Sequence, residues 1–595
     1  MESKIKIKIN GETVEVEKGT SMLEAAKQVG VIIPTLCYHK DLCVAGNCRV
    51  CVIEVVGQKR LSPACATPCE DGFEILTNSL KVRNSRKYIL ELLLSEHNAD
   101  CTRCYKNGNC ELQRLASEYK IMEQDFIRLV PFKNYTIDKF SPSIIKDDSK
   151  CIRCQRCVRT CAELQGVNAL AVAFKGDQMK ITTFFEKALN DVICTNCGQC
   201  INHCPTGALV ERNYIEEVWD AIADKTKHVV VQTAPAVRVG LGEELGFEPG
   251  TRLTGKMVSA LKHLGFDAVM DTDFTADLTI MEEGTELLTR LKKVLVDHDP
   301  NVRLPMATSC SPGWIKFIEH LYPEHLDILS SCKSPQQMFG ALVKTYYAQA
   351  RKINPDKIIS VSIMPCTAKK FEANRPEMHD SGYRDVDYVL TTRELAIMIK
   401  QAGIDFNRLE DMHFDRLMGE STGAGVIFGS TGGVMEAALR TVYEIVTGRE
   451  VPFEKLNIIP VRGTEGIREV SVKIENPLKE WAFLDGIELN CAVAHGLVNA
   501  KKVMNSIISG QTNYHFVEFM ACPGGCLGGG GQPIPTSPEI RQKRAEAIYA
   551  EDAGMPLRKS HLNPEIIKIY KDFLGEPLSE KSHHLLHTKY VKRGM

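Results

Sequence analysis

Two cysteine runs limit what this chain can fold into more than any other feature of its sequence. Both runs have the spacing Cys-x2-Cys-x2-Cys-x3-Cys, and they comprise Cys151, Cys154, Cys157 and Cys161, then Cys194, Cys197, Cys200 and Cys204. The chain has 23 cysteines in 595 residues, and 17 of them precede residue 205. It opens with alternating charged and apolar residues rather than the apolar core of an export signal, which predicts a cytoplasmic protein. In that reducing compartment, clustered cysteines hold metal rather than form disulfides.

The spacing of the two runs is that of bacterial ferredoxins with two clusters. It favours iron–sulfur clusters over zinc, because zinc prefers separate Cys-x2-Cys pairs. In the ferredoxin arrangement the fourth cysteine of each run crosses to the other cluster, since three closely spaced thiolates cap only one face of a cubane. The sequence therefore predicts two [4Fe–4S] clusters, one held by Cys151, Cys154, Cys157 and Cys204, the other by Cys194, Cys197, Cys200 and Cys161.

A further group of cysteines follows a predicted hairpin and helix near the N-terminus. Residues 1–17 alternate apolar and polar side chains around the turn Asn10-Gly11. The segment resembles the [2Fe–2S] domain of plant-type ferredoxins, and more closely that of the large iron–sulfur subunit of respiratory complex I. The resemblance implies a [2Fe–2S] cluster with the ligands Cys37, Cys48, Cys51 and Cys65. Cys43 and Cys69 fall outside this pattern, and we expect both to be packed thiols.

One histidine precedes a group of three cysteines that has no fourth ligand of its own. The spacing is His97-x3-Cys101-x2-Cys104-x5-Cys110. A lone histidine is usually a surface or core residue, but imidazole here completes a set of four. The segment resembles the [4Fe–4S] site with one histidine ligand in complex I and in large hydrogenases, which implies that His97 binds iron.

The rest of the chain has a different character. From about residue 215, buried strands alternate with amphipathic helices, which indicates an α/β domain with two lobes. The net charge of −2 excludes a broadly basic nucleic-acid surface, and no run of ~18 apolar residues suggests a membrane span. We predict a multidomain α+β and α/β protein, in which ferredoxin-type iron–sulfur domains precede the two-lobed α/β domain. The expected domains are 1–80 ([2Fe–2S]), 81–125 (one [4Fe–4S]), 140–212 (two [4Fe–4S]) and 215–595 (the α/β domain).

Three cysteine-bearing segments stand out in the α/β domain: TSCSPGW (308–314), MPCTAKKFE (364–372) and EFMACPGGCLGGGGQP (518–533). Together they resemble the three signature motifs of the [FeFe]-hydrogenases, and the likeness extends over essentially the whole chain. It implies an H-cluster, which is a [4Fe–4S] cubane joined through a cysteine sulfur to a diiron subsite with CO, cyanide and azadithiolate ligands. The implied cubane ligands are Cys366, Cys522 and Cys526, of which Cys526 is the bridging one. The resemblance also implies that Lys369 donates a hydrogen bond to a cyanide ligand and that Met364 and Met520 pack against the diiron subsite. Further residues would surround the cluster: Ala234, Pro235 and Gln336.

The first motif departs from the family pattern at one position. The family has two adjacent cysteines there, the first passing protons and the second binding the cubane, whereas here Cys310 precedes Ser311. Either Cys310 becomes the ligand, or Ser311 binds the cubane, or the local register shifts. We favour Cys310 as the ligand because a hydroxyl binds iron less well than a thiolate; Ser311 or a water would then carry the proton.

A proton path to a buried centre is also expected. The segment 279–290 resembles the family's relay helix, and its Glu283, Glu286 and Arg290 lie about one turn apart on one helical face. Ser330 would join them to Cys310. The alternative interpretation is a solvated acidic helix face.

The resemblance implies reversible hydrogen activation, with electrons relayed by three accessory [4Fe–4S] clusters and one [2Fe–2S] cluster. The alternatives are an electron-transfer subunit of a complex-I-like assembly and an iron–sulfur assembly factor, neither with hydrogen chemistry. The front region resembles subunits of multimeric, electron-bifurcating enzymes, which implies ferredoxin or flavin–NAD(P) subunits as partners. Maturation proteins would install the diiron subsite. No G-x-G-x-x-G fingerprint follows a predicted strand, so nicotinamide and flavin would bind a partner.

Overall fold

The structure is a computed structural model that describes residues 4–121 and 135–594. The last four residues of the expected 81–125 domain, 122–125, lie outside the described residues. The strands are β1 (Lys4–Ile9), β2 (Glu12–Glu17), β3 (Val52–Val55), β4 (Ser62–Pro63), β5 (Glu74–Leu76), β6 (Ile137–Asp138), β7 (Ile144–Asp147), β8 (Ala171–Ala173), β9 (Lys180–Thr182), β10 (Leu209–Glu211), β11 (His228–Thr233), β12 (Ala268–Asp271), β13 (Met306–Ala307), β14 (Ile358–Met364), β15 (Tyr388–Thr391), β16 (Ile467–Lys473), β17 (Glu488–His495) and β18 (Phe516–Met520).

The α-helices of the described residues alternate with these strands in the second half of the chain. They are α1 (Met22–Gln28), α2 (Leu80–Ser95), α3 (Glu111–Glu118), α4 (Arg156–Arg159), α5 (Gln199–His203), α6 (Ile215–Ala223), α7 (Thr254–Leu264), α8 (Thr272–Leu295), α9 (Pro312–Leu321), α10 (Pro335–Leu342), α11 (Ala348–Arg351), α12 (Ala368–Glu372), α13 (Thr392–Gln401), α14 (Gly423–Ile427), α15 (Gly433–Thr447), α16 (Leu497–Ile508), α17 (Pro538–Gly554), α18 (Pro564–Ile569) and α19 (Glu580–Leu586).

The predicted N-terminal hairpin and helix are confirmed. Strands β1 and β2 pair antiparallel, and the turn residues Asn10 and Gly11 both have positive φ, as a two-residue hairpin turn requires. The Ser21 side chain accepts a hydrogen bond from the Glu24 N–H and so caps α1. The hairpin belongs to a five-stranded sheet with the order β2-β1-β5-β3-β4, which supports the first cysteine loop.

The region of the two cysteine runs has little regular structure of its own. A three-stranded sheet (β10-β7-β6) and a hairpin (β8-β9) flank two short helices, α4 and α5. Each of these helices contains the third cysteine of its run, Cys157 in α4 and Cys200 in α5. Cys157, Cys194 and Cys204 belong to the buried core of this region.

Two four-stranded sheets form the predicted two-lobed α/β domain. One has the order β12-β11-β14-β15 and is entirely parallel. The other has the order β13-β18-β17-β16, in which only β16 pairs antiparallel. The segments after β11, β13, β14 and β18 bear the residues expected at the active site, which is where ligands bind in open α/β sheets.

No helix among the described residues is long and apolar enough to cross a membrane. The alternation of buried strands and amphipathic helices expected after residue 215 is confirmed, for example by strands β11, β14 and β15 and by helices α7, α13 and α15.

An ion pair joins the N-terminal domain to α17. The guanidinium of Arg541 donates two hydrogen bonds, of 2.8 and 2.9 Å, to the Asp41 carboxylate, and both side chains are buried. Breaking a buried pair by removing one partner costs ~3–5 kcal/mol.

We expect Arg541→Ala to loosen the N-terminal domain, so that limited trypsin digestion cleaves it faster from the rest of the chain. The exposed Lys543→Ala is the control, and equal cleavage rates for both variants would contradict the expectation.

Candidate active site and metal centres

A cavity lies between the two lobes. Five cysteines line it: Cys310, Cys366, Cys522 and Cys526, which come from the loops after β13, β14 and β18, and Cys197 from the second cysteine run. Its wall also contains every other residue expected around the centre, namely Ala234, Pro235, Ser311, Gln336, Met364, Lys369 and Met520. The three sequence motifs are therefore brought together at one place, although more than 200 residues separate the first from the last.

The chemistry of the cavity wall fits an iron–sulfur group. Burial raises the pKa of Cys366 and Cys522, and it raises that of Cys526 to about 12, so thiolates here require cationic partners such as iron. The Oε1 atom of Gln336 is buried at the wall without a hydrogen-bond partner. A bound group with a hydrogen-bond donor or a cationic atom would satisfy this oxygen.

The Lys369 ammonium is held at the cavity by fixed acceptors. Its Nζ donates to the Cys310 carbonyl oxygen (3.1 Å) and to Glu372 Oε2 (2.9 Å). The same carboxylate oxygen accepts hydrogen bonds from Gln336 Nε2 (3.1 Å) and Ser334 Oγ (2.9 Å). Glu372 thus orients two cavity residues at once, which suits recognition of an anionic ligand by Lys369.

Cys310 and Ser311 face different neighbours. Burial, followed by the nearby Glu283 carboxyl, raises the pKa of Cys310, which also lies close to Lys369 and Cys526. The Ser311 hydroxyl accepts a hydrogen bond of 3.2 Å from the N–H of Ala521, the residue before Cys522. Cys310 therefore lies on the side of the acidic helix α8, and Ser311 lies on the side of the third motif.

The glycine-rich loop packs directly on two other segments of backbone. A Cβ atom at Gly529 would lie 2.0 Å from the Pro365 carbonyl oxygen, and one at Gly530 would lie 2.2 Å from that of Cys197. The side chain of Gln199 donates to the carbonyl of this loop at Gly528 (2.7 Å). Glycine is required here for the close approach of protein backbone, and as a result Cys197 also forms part of the cavity wall.

The two cysteine runs line two separate cavities. One contains Cys151, Cys154, Cys157 and Cys204, and the other contains Cys161, Cys194, Cys197 and Cys200. Each set combines three cysteines of one run with the fourth of the other, which is the crossed grouping expected from the spacing.

The N-terminal cysteines also lie together. The sulfur atoms of Cys51 and Cys65 are 3.4 Å apart, and Cys37 contacts both Cys48 and Cys65. Cys43 was expected to be a packed thiol, and this prediction is wrong. Cys43 is exposed, and its Sγ donates to Glu163 Oε1 at 2.7 Å. Cys69 is buried, as expected.

The group of His97 and three cysteines lies beside the region of the two cysteine runs. His97 is buried just after α2, and Cys101, Cys104 and Cys110 follow in a turn that leads into α3. A Cβ atom at Gly207 would lie 2.5 Å from Cys104 Sγ. The sulfur of Cys110 lies 3.6 Å from the Pro205 carbonyl oxygen, next to Cys204. This group is therefore adjacent to the cavity of Cys151, Cys154, Cys157 and Cys204.

The expected proton-relay residues form a continuous line along α8. Arg290 Nη2 donates to Glu286 Oε1 (2.7 Å), and Ser330 Oγ donates to Glu286 Oε2 (3.0 Å). Ser330 also influences the pKa of Glu283, and the charge of Glu283 in turn raises the pKa of Cys310. Glu283 is 2% exposed and Glu286 8%, so the alternative of a solvated acidic face is wrong.

Several residues of this region were not predicted. Phe428, Thr272 and Ala276 also line the cavity, and only their apolar character or their place on α8 could have indicated them. In the C-terminal segment His584 is exposed, whereas His587, three residues further on, is buried next to the relay. Its sequence distance from the relay leaves no local signal for this contact.

Five family models match the chain. "Iron only hydrogenase large subunit, C-terminal domain" matches 227–530, and "Iron hydrogenase small subunit" matches 538–593. In the front half, "2Fe-2S iron-sulfur cluster binding domain" matches 2–79, and "NADH-ubiquinone oxidoreductase-G iron-sulfur binding region" matches 86–125. "NADH-quinone oxidoreductase subunit 3, ferredoxin-like domain" matches 141–210. The predicted order of iron–sulfur domains followed by an α/β domain is confirmed.

The chain resembles known proteins over its full length. It is 52% identical to the NADP-reducing hydrogenase subunit HndD of Solidesulfovibrio fructosivorans, over 99% of this chain and 99% of that protein. It is 40% identical to iron hydrogenase 1 of Clostridium pasteurianum, over 98% and 99% respectively. An apo [FeFe]-hydrogenase structure from Chlamydomonas reinhardtii aligns with a TM-score of 0.58 at 45% identity, covering 64% of this chain and 100% of that one.

Glu283 makes the stability of the protein depend on pH. Burial, and then the charge of Glu286, raise the pKa of Glu283 to about 8 from 4.5. As pH rises between these values the unfolded chain loses this proton while the folded chain keeps it, so folding is progressively disfavoured, by ~1.4 kcal/mol per pKa unit. Above about pH 8 the penalty is complete.

We expect the thermal midpoint of the wild type to fall relative to that of Glu283→Gln between about pH 5 and pH 9, because glutamine does not ionise. Calorimetry at several pH values measures the difference. The exposed Glu324→Gln provides the control, and its midpoint should follow the wild type throughout. Parallel curves for wild type and Glu283→Gln would refute the buried-acid assignment.

Proposed function

This chain belongs to the iron-only hydrogenase family, and we propose from that premise how its residues share the reaction 2H⁺ + 2e⁻ ⇌ H₂. The chain oxidises hydrogen and reduces protons, and it carries iron–sulfur cofactors. The observation that carries the assignment of roles is the cavity between the lobes, where the cysteines of all three motifs meet. The alternative of an electron-transfer subunit without hydrogen chemistry does not account for the catalytic domain matched over 227–530.

An H-cluster in this cavity would supply the metal chemistry of hydrogen binding and splitting. We assign Cys366, Cys522 and Cys526 as ligands of its cubane, with Cys526 as the bridge to the diiron subsite. Lys369, oriented by Glu372, would donate to a cyanide ligand. The remaining wall residues would enclose the subsite and exclude water: Ala234, Pro235, Gln336, Met364 and Met520.

We assign the proton-transferring role to Cys310 and the fourth position at the cubane to Ser311. The charges that act on Cys310 support this assignment, since after burial the Glu283 carboxyl of the relay has the largest effect on the pKa of its thiol. The Ser311 hydroxyl is bonded beside Cys522, a cubane ligand. This differs from the arrangement favoured by ligand chemistry alone, in which Cys310 binds the iron.

Protons would move along α8 between solvent and Cys310. Arg290 lies nearest the surface, and Glu286, Ser330 and Glu283 follow in order. Glu283, with its pKa raised to about 8, holds its proton at neutral pH and can donate it inward. Burial of the line keeps the transfer separate from bulk water.

Electrons would reach the cavity through three accessory [4Fe–4S] clusters and one [2Fe–2S] cluster. The two crossed sets and the His97 group would each hold a [4Fe–4S] cluster, and the N-terminal set would hold the [2Fe–2S] cluster. Cys197 supports the last step of this route, because it belongs both to the wall of the active-site cavity and to that of a ferredoxin-type cavity.

The protein would act as the hydrogenase subunit of a larger, electron-bifurcating complex in the cytoplasm. Its full-length relative is named as a subunit of an NADP-reducing hydrogenase. The front segments match iron–sulfur regions of NADH oxidoreductases, one of them named as a subunit. Ferredoxin or flavin–NAD(P) subunits would exchange electrons with the iron–sulfur domains, which we place at 1–80, 81–125 and 140–212. These domains would pass the electrons to and from the catalytic domain at 215–595. Diiron-site maturation proteins would complete the active site.

Cys526→Ala should abolish hydrogen turnover and leave the accessory clusters intact, because it removes only the bridging thiolate. Infrared spectroscopy of anaerobically matured protein detects metal-bound CO and cyanide, and paramagnetic resonance of the reduced protein reports the accessory clusters. Cys491→Ala, at a buried thiol outside the cavity wall, should retain both sets of signals. Turnover in Cys526→Ala, or no CO and cyanide bands in the matured wild type, would contradict the proposal.

The assignment of Ser311 is tested in protein made without the diiron maturation proteins, so that only the cubane occupies the cavity. Ser311→Cys should change the paramagnetic resonance spectrum and the reduction potential of the cubane, because a thiolate replaces an oxygen donor. Ser309→Ala, at a hydroxyl bonded to the Cys332 carbonyl, is the control. Loss of the cubane in Cys310→Ala, with no change in Ser311→Cys, would return ligand duty to Cys310.

A further inference from the structure

The C-terminal end of the chain holds the loop that touches the proton relay. The Lys333 N–H donates to the Leu586 carbonyl and the Thr588 N–H donates to the Ser331 carbonyl, each at 2.8 Å. The Tyr590 hydroxyl donates to the Cys332 carbonyl at 3.0 Å. These contacts fix residues 331–333, and they come from the segment that the small-subunit family model matches, 538–593.

His587 lies between this loop and α8, and both of its ring nitrogens have partners. Nε2 lies 3.1 Å from Glu282 Oε2, and Nδ1 lies 2.8 Å from Ser331 Oγ. The ring is 3% exposed. A histidine so placed transmits its charge to both neighbours at close range.

The partners of Glu282 determine which nitrogen of His587 carries a proton when the ring is neutral. Burial raises the pKa of Glu282, but hydrogen bonds from His587, Ser582 and Tyr570 outweigh it and hold that pKa below its usual value. Glu282 is thus an anion that accepts hydrogen bonds. Nε2 therefore donates to Glu282, and the neutral ring presents an accepting Nδ1 to Ser331.

The Ser331 hydroxyl has two competing acceptors. Its Oγ lies 2.8 Å from His587 Nδ1 and 3.1 Å from Glu286 Oε2, and it has a single proton to donate. When His587 is neutral, Nδ1 takes that hydrogen bond. When His587 is protonated, Nδ1 donates to Oγ, and the hydroxyl proton turns to Glu286. A hydrogen bond to the charged form of a carboxyl favours that form.

We propose that His587 is a positioning residue of the proton relay, whose charge decides whether the Ser331 hydroxyl donates to Glu286. The proposal rests on the relay described under Proposed function. The titratable groups that face His587 are Glu282 and Glu286 from α8, Cys332 from the loop, and Tyr570, which bonds Glu282. His583 from α19 stacks on the ring with centroids 4.6 Å apart, and it is exposed, so this pair extends from solvent to the relay.

The test compares His587→Gln, which keeps a polar side chain but does not ionise, with His584→Gln at an exposed histidine of α19, the helix that ends just before His587. Hydrogen oxidation and evolution are measured with artificial electron carriers from about pH 5 to pH 9. We expect His587→Gln to lose one pH-dependent step that wild type and His584→Gln share, with rates that differ by about threefold or more at the acidic end. Unchanged CO and cyanide bands in the infrared spectrum would show that the active site is assembled.

Glu286→Gln is measured in the same experiment, because it distinguishes a failure of the role proposed for His587 from a failure of the proton relay itself. If Glu286→Gln is slow and His587→Gln keeps the wild-type pH profile, the role of His587 is overturned and the relay stands. If Glu286→Gln turns over at near-normal rates, the relay itself fails. A profile that changes equally in His584→Gln would assign the effect to the surface charge of α19 and would also overturn the proposal.

Discussion

The site depends on one geometric constraint, namely that parallel strands of two different sheets end at the same cavity. Strands β11 and β14 belong to one sheet, and β13 and β18 belong to the other. At the end of each strand the backbone leaves the hydrogen-bonded ladder, so the following residues are free to adopt the turns that a bound group needs. The cysteines of the three motifs occupy these positions, and the two buried sheets hold them in place from both sides. Neither sheet alone would supply a complete set of thiols.

Much of this arrangement was predictable because its signals are local. The spacing of the cysteine runs specifies the crossed grouping, since three thiolates of one run reach only one face of a cluster. The intervals between Glu283, Glu286 and Arg290 place all three on one face of a helix whatever that helix packs against. The alternation of buried strands and amphipathic helices after residue 215 likewise follows from periods of two and 3.6 residues.

The parts that escaped prediction involve contacts across long stretches of sequence. His587 contacts Glu282, which lies 305 positions earlier in the sequence, and no local pattern near either residue indicates the other as its partner. The side of the cavity that Ser311 faces depends on the Ala521 N–H, which belongs to another strand end. Cys43 was expected to be packed, but the loop around it is open and Glu163 reaches it from the ferredoxin-like region. Each of these outcomes is set by contacts between residues that are far apart in the sequence.

The contact between Gly530 and the Cys197 carbonyl has a consequence for how the two kinds of charge carrier move. Electrons would enter the cavity beside a joint where the backbone of Gly530 packs directly on the Cys197 carbonyl. Protons would arrive through hydroxyls and carboxyls that rotate and exchange partners. Thermal motion should therefore affect proton delivery far more than the distance over which an electron tunnels. A methyl group added at Gly530 would clash with the Cys197 carbonyl oxygen and force the two backbone segments apart. The distance for electron transfer would then increase.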